Sequence, residues 1–358
     1  MRWELSEEQE MFTEALDGWL ERFAGSADVR KWGESGDPSE FEQKFLEEGW
    51  FSAGLPEEIG GQGGGLLELA LTAEALGRYA APSSAWTASV LAAPLLPADI
   101  AADVLAGGGF AAVAVDSARP FGTADSVRVD ADGVLTGSVS AVLGADRAGL
   151  LVVPAVGADG PGLFLVRADD PGVSVEPRRF LDPSRSAADV RFERAEGRRL
   201  DRDATAALAD AGLRAAVLVA ADSLGAMDRM LRLAVDYSGQ RQQFGVPIGS
   251  FQAVKHAAAT ILVSVEAGRS IAYYAAASVD LGLADRAVHA SVAKAQVTRN
   301  AVQAADSALV MHGAIGYTWE HDLHLLYKRA KLDEKLFGGP GVWNEKVAQA
   351  LPLLPAAG

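Results

Sequence analysis

The segment RQQFGVPIGSFQAVKH, residues 241–256, gathers side chains that could bind a phosphate-containing ligand. Arg241 offers forked donors that match phosphate oxygens, and Phe244 and Phe251 could face an aromatic base. Gln252 follows directly. A plain connection between two helices would also explain the glycine and the proline. It gives no reason for an arginine, two aromatic rings and an amide to lie together, so the segment is a candidate phosphate-ligand site, with an ordinary connection as the alternative.

A second segment, MHGAIGYTWE at residues 311–320, places two glycines in a turn ahead of a predicted helix. Gly313 and Gly316 allow backbone amides to approach a ligand closely, and the start of a helix favours an anion. A plain turn between helices would have the same composition. We expect the helix to begin near Thr318 and to end near Leu336.

The segment YKRAKLDEKLFGG, residues 327–339, raises the question of acid–base chemistry. Asp333 and Glu334 lie near its end, but the residue at the turn itself is Phe337. A phenylalanine side chain cannot accept a proton, whereas a positioned carboxylate can. Glu334 beside Lys335 is explained equally well as exposed surface charge.

Histidine and cysteine usage argues against metal chemistry. The chain has five histidines and no cysteine. His321 and His324 lie one turn apart, but no third ligand accompanies them at a matching spacing, so we predict no metal site. Disulfides and thiolate nucleophiles are excluded, and a cytoplasmic location is the default expectation.

Composition is typical of a soluble globular protein. The 358 residues are 49% hydrophobic and 22% charged, and the net charge is −16. The negative charge argues against nucleic acid or an anionic membrane as partner. None of the apolar runs is expected to span a bilayer. An anionic small molecule stays compatible, because it needs only a few local cations.

Three stretches that differ in composition and residue pattern must position these residues. Residues 1–105 predict an N-terminal helical domain. Residues 106–202 contain short valine-rich runs separated by glycine, proline, aspartate and serine, which predicts a small antiparallel β domain. Residues 203–358 predict a C-terminal helical bundle with short connections. The fold class is therefore mainly α with a β insert.

Helix periodicity and capping patterns locate individual helices. Ser6 with Gln9 forms a capping-box pattern, and apolar residues then recur at helical spacing. The helices predicted along the chain are 40–48, 66–77, 204–240, 251–281 and 285–311, with a final one that follows Gly316 and reaches about Leu336.

The combination of these motifs resembles the acyl-CoA dehydrogenase family. RQQFG-x-PI-x-x-FQ-x-x-KH is followed by HGAIGYTWE, as in that family. SEEQEMF, LPEEIGGQGGG and EALGR are similar to its N-terminal domain, and GVSVEPRRFLDPSRSAADVRFERA to the end of its β domain. The resemblance covers nearly the whole chain. It implies a three-domain fold, FAD as cofactor, and oxidation of an acyl-CoA to the trans-2-enoyl-CoA by proton and hydride removal.

The resemblance implies that FAD lies across a subunit interface, with its adenosine-diphosphate part held by the neighbouring subunit. The matching positions here are Arg241, Phe244, Phe251, Gln252 and Gly313. Two nearby positions depart from the family pattern. Val310 stands where a glutamine is usual, and Ala314 replaces the second glycine of the usual HGG.

The positions that hold the flavin ring in the family depart much further. Its usual Trp-Ile-Thr corresponds to Ala141, Val142 and Leu143, which cannot donate a hydrogen bond to a flavin nitrogen. Its usual Thr-Glu-Pro with Gly-Ser-Asp corresponds to AVDSARPFGTAD, residues 114–125, which is a poor match.

The catalytic base implied by the resemblance is absent at both of its known positions. The Glu-Gly of most members corresponds to Phe337 and Gly338, and the alternate glutamate on the first bundle helix corresponds to Ala215. Four other carboxylates are candidate substitutes: Asp222, Glu320, Asp322 and Glu334. We expect loss of a base to slow proton removal by on the order of 10²–10⁴-fold.

Three interpretations stay open. The favoured one is a non-catalytic partner subunit of a heterotetramer, which lends FAD contacts to a base-bearing sister subunit; steroid side-chain or other bulky acyl-CoA thioesters are the substrates that the resemblance suggests. The second is a self-sufficient homo-oligomeric dehydrogenase with an unusual base. The third is a flavin-free scaffold or binding protein.

Overall fold

The computed structural model describes residues 5–122 and 126–351. Six helices precede the sheet: α1 Glu7–Phe23, α2 Ser26–Ser35, α3 Ser39–Glu47, α4 Leu66–Arg78, α5 Ser84–Ala92 and α6 Ala98–Leu105. The predicted capping box at Ser6 forms, because the Ser6 hydroxyl accepts from the Gln9 amide while the Gln9 side chain accepts from the Ser6 amide. The predictions for α3 and α4 are correct to within a residue.

Helices α2, α5 and α6 were not identified from the sequence. In α5 every residue is buried. A helix that is enclosed on all sides has no polar face, so it shows no amphipathic period. The sequence of α5 therefore gives no signal that separates it from other apolar runs.

Within the described residues, the central sheet has eight strands, in the order β6-β7-β3-β2-β4-β5-β8, with β1 paired to β4. The strands are β1 Phe110–Val113, β2 Val127–Val129, β3 Val134–Leu143, β4 Ala148–Gly157, β5 Gly160–Arg167, β6 Val173–Arg179, β7 Ser186–Glu196 and β8 Arg198–Arg199. Most neighbouring strands are antiparallel, as predicted. Strands β1 and β2 both pair with β4 in parallel, so the sheet is mixed.

The C-terminal part is a bundle of long helices joined by short connections: α7 Ala204–Gln240, α8 Gln252–Asp280, α9 Arg286–His312, α10 Leu323–Lys335 and α11 Pro340–Ala350. A hairpin of β9 Gln242–Gln243 and β10 Val246–Pro247 separates α7 from α8. The sequence predicted four of these helices and missed α11.

Helix α10 begins later than predicted. Residues Gly313–Tyr317 form a 3₁₀ turn, and α10 starts only at Leu323. The Leu323 amide donates to Nδ1 of His321, so a side chain satisfies a free amide of the first turn. Glu320 and Asp322 therefore precede α10 instead of forming its first turn.

Helix α7 is long and apolar enough, by length and composition, to cross a membrane. This differs from the expectation drawn from the sequence. Its most apolar stretch is 61% buried within the fold. A core helix of a bundle passes the same test, since it is enclosed by other helices on most of its surface.

The sheet lies between the two helical parts of the chain. Position 105 ends α6 and position 204 begins α7. We retain the divisions 1–105, 106–202 and 203–358 as proposed domains. This arrangement brings the end of α10 next to strands β1 and β3, where the sequence analysis located the missing base.

Candidate cofactor surface and sealed site

A tight hairpin turn projects an aromatic ring from the end of α7. Helix α7 ends at Gln240, and the Arg241 amide donates to the carbonyl of Tyr237. Phe244 and Gly245 occupy the turn with φ angles of 53° and 79°. Positive φ at both turn residues is typical of two-residue hairpins, but it is uncommon for a bulky side chain. The turn holds Phe244 with 91% of its surface exposed.

A groove of about 590 Å³ opens beside this hairpin, between α8 and α9. We call it the connection groove; its walls include Phe244, Ile248, Phe251, Val254, Val310 and Met311. The rings of Phe244 and Phe251 stand 6.0 Å apart and nearly perpendicular. The groove is mostly apolar and large enough for a small planar ligand.

A second region, at the end of α10, is closed. We call it the sealed site; it comprises Ala88, Leu91, Val113, Val115, Phe121, Leu143 and Phe337, and only about 10 Å³ of free space lies among them. The ring of Phe337 contacts that of Phe121 at 5.1 Å, edge to face, and Phe337 is 2% exposed. That volume holds about one water molecule, so the acyl chain of a thioester does not fit.

The backbone amide and carbonyl of Ala141, on strand β3, are both hydrogen-bonded. The Ala141 amide donates to Oδ1 of Asp189 at 2.8 Å. The Ala141 carbonyl accepts from the Ser117 hydroxyl at 2.5 Å. The three side chains of residues 141–143 are aliphatic and buried. Residues 141–143 therefore offer a flavin ring no side-chain donor, and the backbone groups of Ala141 are already taken.

The turn that carries Phe337 is clamped from three elements. The Phe337 amide donates to the Ser117 carbonyl at 2.6 Å, and Nε1 of Trp343 donates to the Phe337 carbonyl at 3.0 Å. Nζ of Lys294 donates to the carbonyls of Asp333, Glu334 and Gly338. Lys294 is fully buried, and burial lowers its pKa to about 7 against the opposing attraction of Asp333.

Asp222 is buried but is committed to two arginines. Its carboxylate lies 2.6 Å from Nη2 of Arg329 and 2.9 Å from Nη2 of Arg185. Burial alone would raise the pKa of Asp222, but the two guanidinium groups outweigh burial and lower it to about 2. Asp222 is 3% exposed. The structure therefore does not favour it as a base.

Asp333 lies closer to the sealed site and is also enclosed. It is 0% exposed and accepts from Arg185 and Ser223. Burial, together with the nearby Asp222 carboxylate, raises the pKa of Asp333 well above its ordinary value. It contacts its own neighbours in the core and does not line the free space of the sealed site.

The remaining candidate acids lie elsewhere. Glu334 is half-buried, not exposed as predicted, and pairs with Lys335 at 2.7 Å. Asp322 pairs with Arg30 at 2.5 Å, and Glu320 is exposed ahead of α10. Ala215, at the alternate base position, is fully buried within α7.

Comparisons with known proteins address the family directly. The family models "Acyl-CoA dehydrogenase, N-terminal domain" and "Acyl-CoA dehydrogenase, C-terminal domain" match residues 6–98 and 213–351. This chain belongs to the acyl-CoA dehydrogenase family. It is 31% identical to the acyl-CoA dehydrogenase IpdE2 of Mycobacterium tuberculosis, over 93% of this chain and 94% of the relative.

Two solved acyl-CoA dehydrogenase structures are similar over nearly the full length. A variant of the Tcur3481–Tcur3483 steroid ACAD superposes with a TM-score of 0.86 and 28% identity, covering 96% of this chain and 97% of that one. The ChsE4–ChsE5 complex from Mycobacterium tuberculosis superposes with a TM-score of 0.87, covering 99% and 100%. At 24% identity the second comparison concerns the fold alone.

The family positions predicted to contact FAD are only partly brought together. Phe244 and Phe251 line the connection groove, while Arg241 and Gln252 are exposed at the two ends of the hairpin connection. Gly313 ends α9 with φ 63° and is exposed, one turn after Val310 on the groove wall. Val310 is 81% exposed, where the family usually has a glutamine.

The sequence did not predict the residues that close the sealed site. Phe121 and Ser117 lie in the loop after β1, and nothing in its composition indicates that it folds back onto the end of α10. Thr123 and Asp125, at the end of the segment compared with the family's Thr-Glu-Pro, lie outside the described residues. Lys294 could have been recognised as unusual from the sequence, because it interrupts an alanine-rich helix face.

The two neighbouring histidines do not converge. Nδ1 of His321 accepts from the Leu323 amide, and Nε2 of His324 lies 3.3 Å from the Trp319 carbonyl. Within residues 5–122 and 126–351, no three histidine, aspartate or glutamate side chains gather as metal ligands. The absence of a metal stays a prediction.

Proposed function

We propose that this chain acts in the FAD-dependent α,β-dehydrogenation of an acyl-CoA thioester, as the non-catalytic partner subunit of a cytoplasmic heterotetramer. The observation that carries this proposal is Phe337. It stands where the family resemblance implies a catalytic glutamate, and it is 2% exposed against Phe121. A chain closed in this way has neither a proton acceptor at that position nor space for the reacting carbons.

The two parts of an FAD molecule fit this chain differently. The connection groove provides exposed aromatic rings and an adjacent arginine, which suit an adenine and a pyrophosphate. Residues 141–143 are aliphatic and buried, so they do not suit the polar edge of a flavin ring. This fit therefore supports a role in which this chain contacts an FAD molecule that is bound mainly by another subunit.

This chain's own residues have limited roles in the proposed complex. Bound FAD would accept the hydride from the β-carbon of the substrate. Arg241 would bind the pyrophosphate, Phe244 and Phe251 would cover the adenine, and the backbone at Gly313 would approach the dinucleotide closely. The sister subunit would carry the base and the acyl site.

The substrate proposal rests on the relatives. One similar solved structure is described as a steroid ACAD. We propose a bulky acyl-CoA, such as a steroid side-chain thioester, as the substrate of the complex.

Expression of this chain alone and together with a base-bearing sister subunit tests the proposal. We expect the isolated chain to be purified without flavin absorbance and without acyl-CoA-dependent bleaching. We expect the co-purified complex to be yellow and active. A yellow, active isolated chain would support the self-sufficient enzyme instead, and failure to acquire FAD in any complex would support the flavin-free protein.

The variant Phe337→Glu sharpens the same test. The added carboxylate does not supply the missing flavin contacts at Ala141 and Leu143, so we expect the isolated variant to stay inactive. Recovery of full turnover by this single change would contradict the proposal.

A further inference from the structure

A cluster of four buried charged groups lies inside the molecule, apart from the connection groove. We call it the arginine junction; it comprises Arg185, Asp222, Arg329 and Asp333, each at most 4% exposed. Asp222 lies on α7, Arg329 and Asp333 lie on α10, and Arg185 belongs to the loop between β6 and β7. Two guanidinium groups and two carboxyl groups therefore face each other with almost no access to water.

Arg329 connects this junction to the segment ahead of α5. Its Nη1 donates to the Ala81 carbonyl at 2.7 Å, and its Nη2 donates to the Ser83 hydroxyl at 3.0 Å. Nη1 also donates to the Ser184 hydroxyl, in the loop that carries Arg185. Through these contacts α10 is attached to the N-terminal helices and to the loop between β6 and β7.

The two carboxyl groups of the junction are unequally supplied with donors. Asp222 accepts from Nε and Nη2 of Arg329, at 2.7 and 2.6 Å, and from Nη2 of Arg185 at 2.9 Å. Asp333 accepts from the same Arg185 nitrogen at 3.0 Å and from the Ser223 hydroxyl at 3.3 Å. A buried carboxylate needs strong donors, so Asp333 is the less well stabilised of the two as an anion.

The other charged groups around Asp333 do not supply the missing donors. Nζ of Lys294, on α9, donates to main-chain carbonyls, including that of Asp333, and not to a carboxyl group. Glu334 pairs with the lysine that follows it. Asp182 lies near Arg329 and adds a further negative charge. These surroundings leave Asp333 without a close cation of its own.

Asp222 and Asp333 also lie within hydrogen-bond reach of each other. Two ionised carboxylates in this position repel, whereas a proton on one of them allows it to donate to the other. Burial and the Asp222 carboxylate raise the pKa of Asp333 well above its ordinary value, while the two guanidinium groups lower the pKa of Asp222 to about 2. The shared proton therefore belongs on Asp333.

We propose that the arginine junction binds one proton at neutral pH, carried on Asp333 and donated to Asp222, and that this proton stabilises the packing of α10 against α7. The folded chain then holds a proton that the unfolded chain releases, so stability decreases as pH rises through the range between the two ionisations. The junction is a pH-sensitive connection between α10 and the rest of the fold, separate from the contacts proposed for FAD.

Infrared difference spectroscopy of the full chain tests for this proton directly. We expect wild type at pH 7 to show the band of a protonated carboxyl group that disappears in Asp333→Asn. Asp169→Asn is the matched control, because Asp169 is an exposed carboxylate paired with Arg167, and this change should leave the band in place. A wild-type spectrum that contains no band lost in Asp333→Asn would overturn the proposal.

Urea unfolding from about pH 5 to pH 7 measures the same proton through stability. Two chains are compared, Lys294→Met alone and Lys294→Met with Asp333→Asn, so that the titration of the lysine does not enter. The ratio of their unfolding constants, first over second, should rise about tenfold for each pH unit. A ratio that stays constant over this range would mean that Asp333 is ionised in the folded chain, against the proposal.

Substitution of each carboxyl group separates the proposal from a simple buried ion pair. Asp333→Asn resembles a protonated aspartate in shape and charge, so at pH 7 its unfolding constant should lie within about tenfold of wild type. Asp222→Asn removes the carboxylate that pairs with Arg329, so the unfolding constant should rise about a hundredfold or more. If Asp333→Asn fails to fold, or is the more damaging change, the proposal is wrong.

Discussion

Two phenylalanines with the same backbone conformation mark opposite regions of this molecule. Phe244 and Phe337 both have φ 53°. Phe244 is 91% exposed at the hairpin beside the connection groove, whereas Phe337 is 2% exposed in the sealed site. A bulky residue held at positive φ costs roughly 1–3 kcal/mol. At Phe244 that strained conformation projects a ring away from the fold, and at Phe337 it places a ring in the interior.

The same backbone conformation therefore serves two purposes in this fold: at the hairpin it directs a ring outward, and in the sealed site it directs a ring inward. The connection groove carries aromatic rings that its own bundle does not cover, and Arg241 is exposed at the start of the neighbouring hairpin. The sealed site is lined by apolar side chains that leave almost no free space. If the two regions differ in this way, substitutions in the sealed site should change stability far more than substitutions at the hairpin.

Phe337→Ala tests the sealed site most strongly. Removing a buried ring that contacts Phe121 leaves a cavity in packed surroundings, so we expect a loss of about 3–5 kcal/mol in the free energy of unfolding. Urea unfolding of the isolated chain measures it. A loss below about 1 kcal/mol would show that the site is loosely packed and can collapse or open.

Arg241→Ala tests the connection groove through the cofactor. In the complex with a sister subunit, this change removes a charge-assisted contact to the pyrophosphate, so we expect FAD affinity to fall by about tenfold or more. Flavin absorbance after gel filtration measures the retained FAD. Arg232→Ala is the control, because Arg232 is likewise an exposed arginine but lies within α7 and pairs with Asp228. Equal flavin content in both variants would contradict our assignment of Arg241.

Lys294→Met tests the clamp at the sealed site through its pH dependence. Lys294 has a folded-state pKa of about 7, against 10.5 for an ordinary lysine. Between those values the unfolded chain binds more protons, so stability rises with pH there, and below about pH 7 the full cost of a buried charge is present. From about pH 7 to pH 9, wild type should gain about 2 kcal/mol relative to the variant.

Urea unfolding at several pH values measures this difference. Titrations of groups that do not interact with Lys294 cancel when the variant is compared with wild type. A difference that stays constant over the range would mean that Lys294 remains charged in the folded chain.

Phe244→Ala should have the smallest effect on the isolated chain. The ring is almost fully exposed, so we expect the free energy of unfolding to change by no more than about 0.5 kcal/mol. Thermal or urea unfolding of this variant and of Phe337→Ala compares the loss of stability at the two positions directly. A large loss would show that Phe244 packs within this chain and is not available to a partner.

Much of the fold could be predicted because most of its long helices carry a polar face. The boundaries of α3, α4, α7, α8 and α9 follow from periodicity and from glycine and proline positions. Helix α5 could not be predicted, since all its residues are buried. The parallel pairing of β1 and β2 with β4 depends on contacts between distant segments, which local patterns do not contain.

Some features of the candidate site could likewise be predicted from the sequence, and others could not. The absence of a proton acceptor at Phe337 follows from residue type, and so does the lack of donors at 141–143. The closure by Phe121 does not follow, because it depends on the path of the loop after β1. The commitment of Asp222 to Arg185 and Arg329 also needed three-dimensional contacts, since these residues are far apart in sequence.

The clamped turn at Phe337 has a practical consequence for anyone who redesigns this protein. Its amide and carbonyl are tied to Ser117 and Trp343, and the next carbonyl to Lys294. A new side chain at position 337 would therefore leave the backbone in the same direction as the phenylalanine does, whatever its size. Side chains of increasing length at position 337 would therefore probe the gap between the sheet and the bundle. The length at which the fold loses stability would measure how far the two layers can separate.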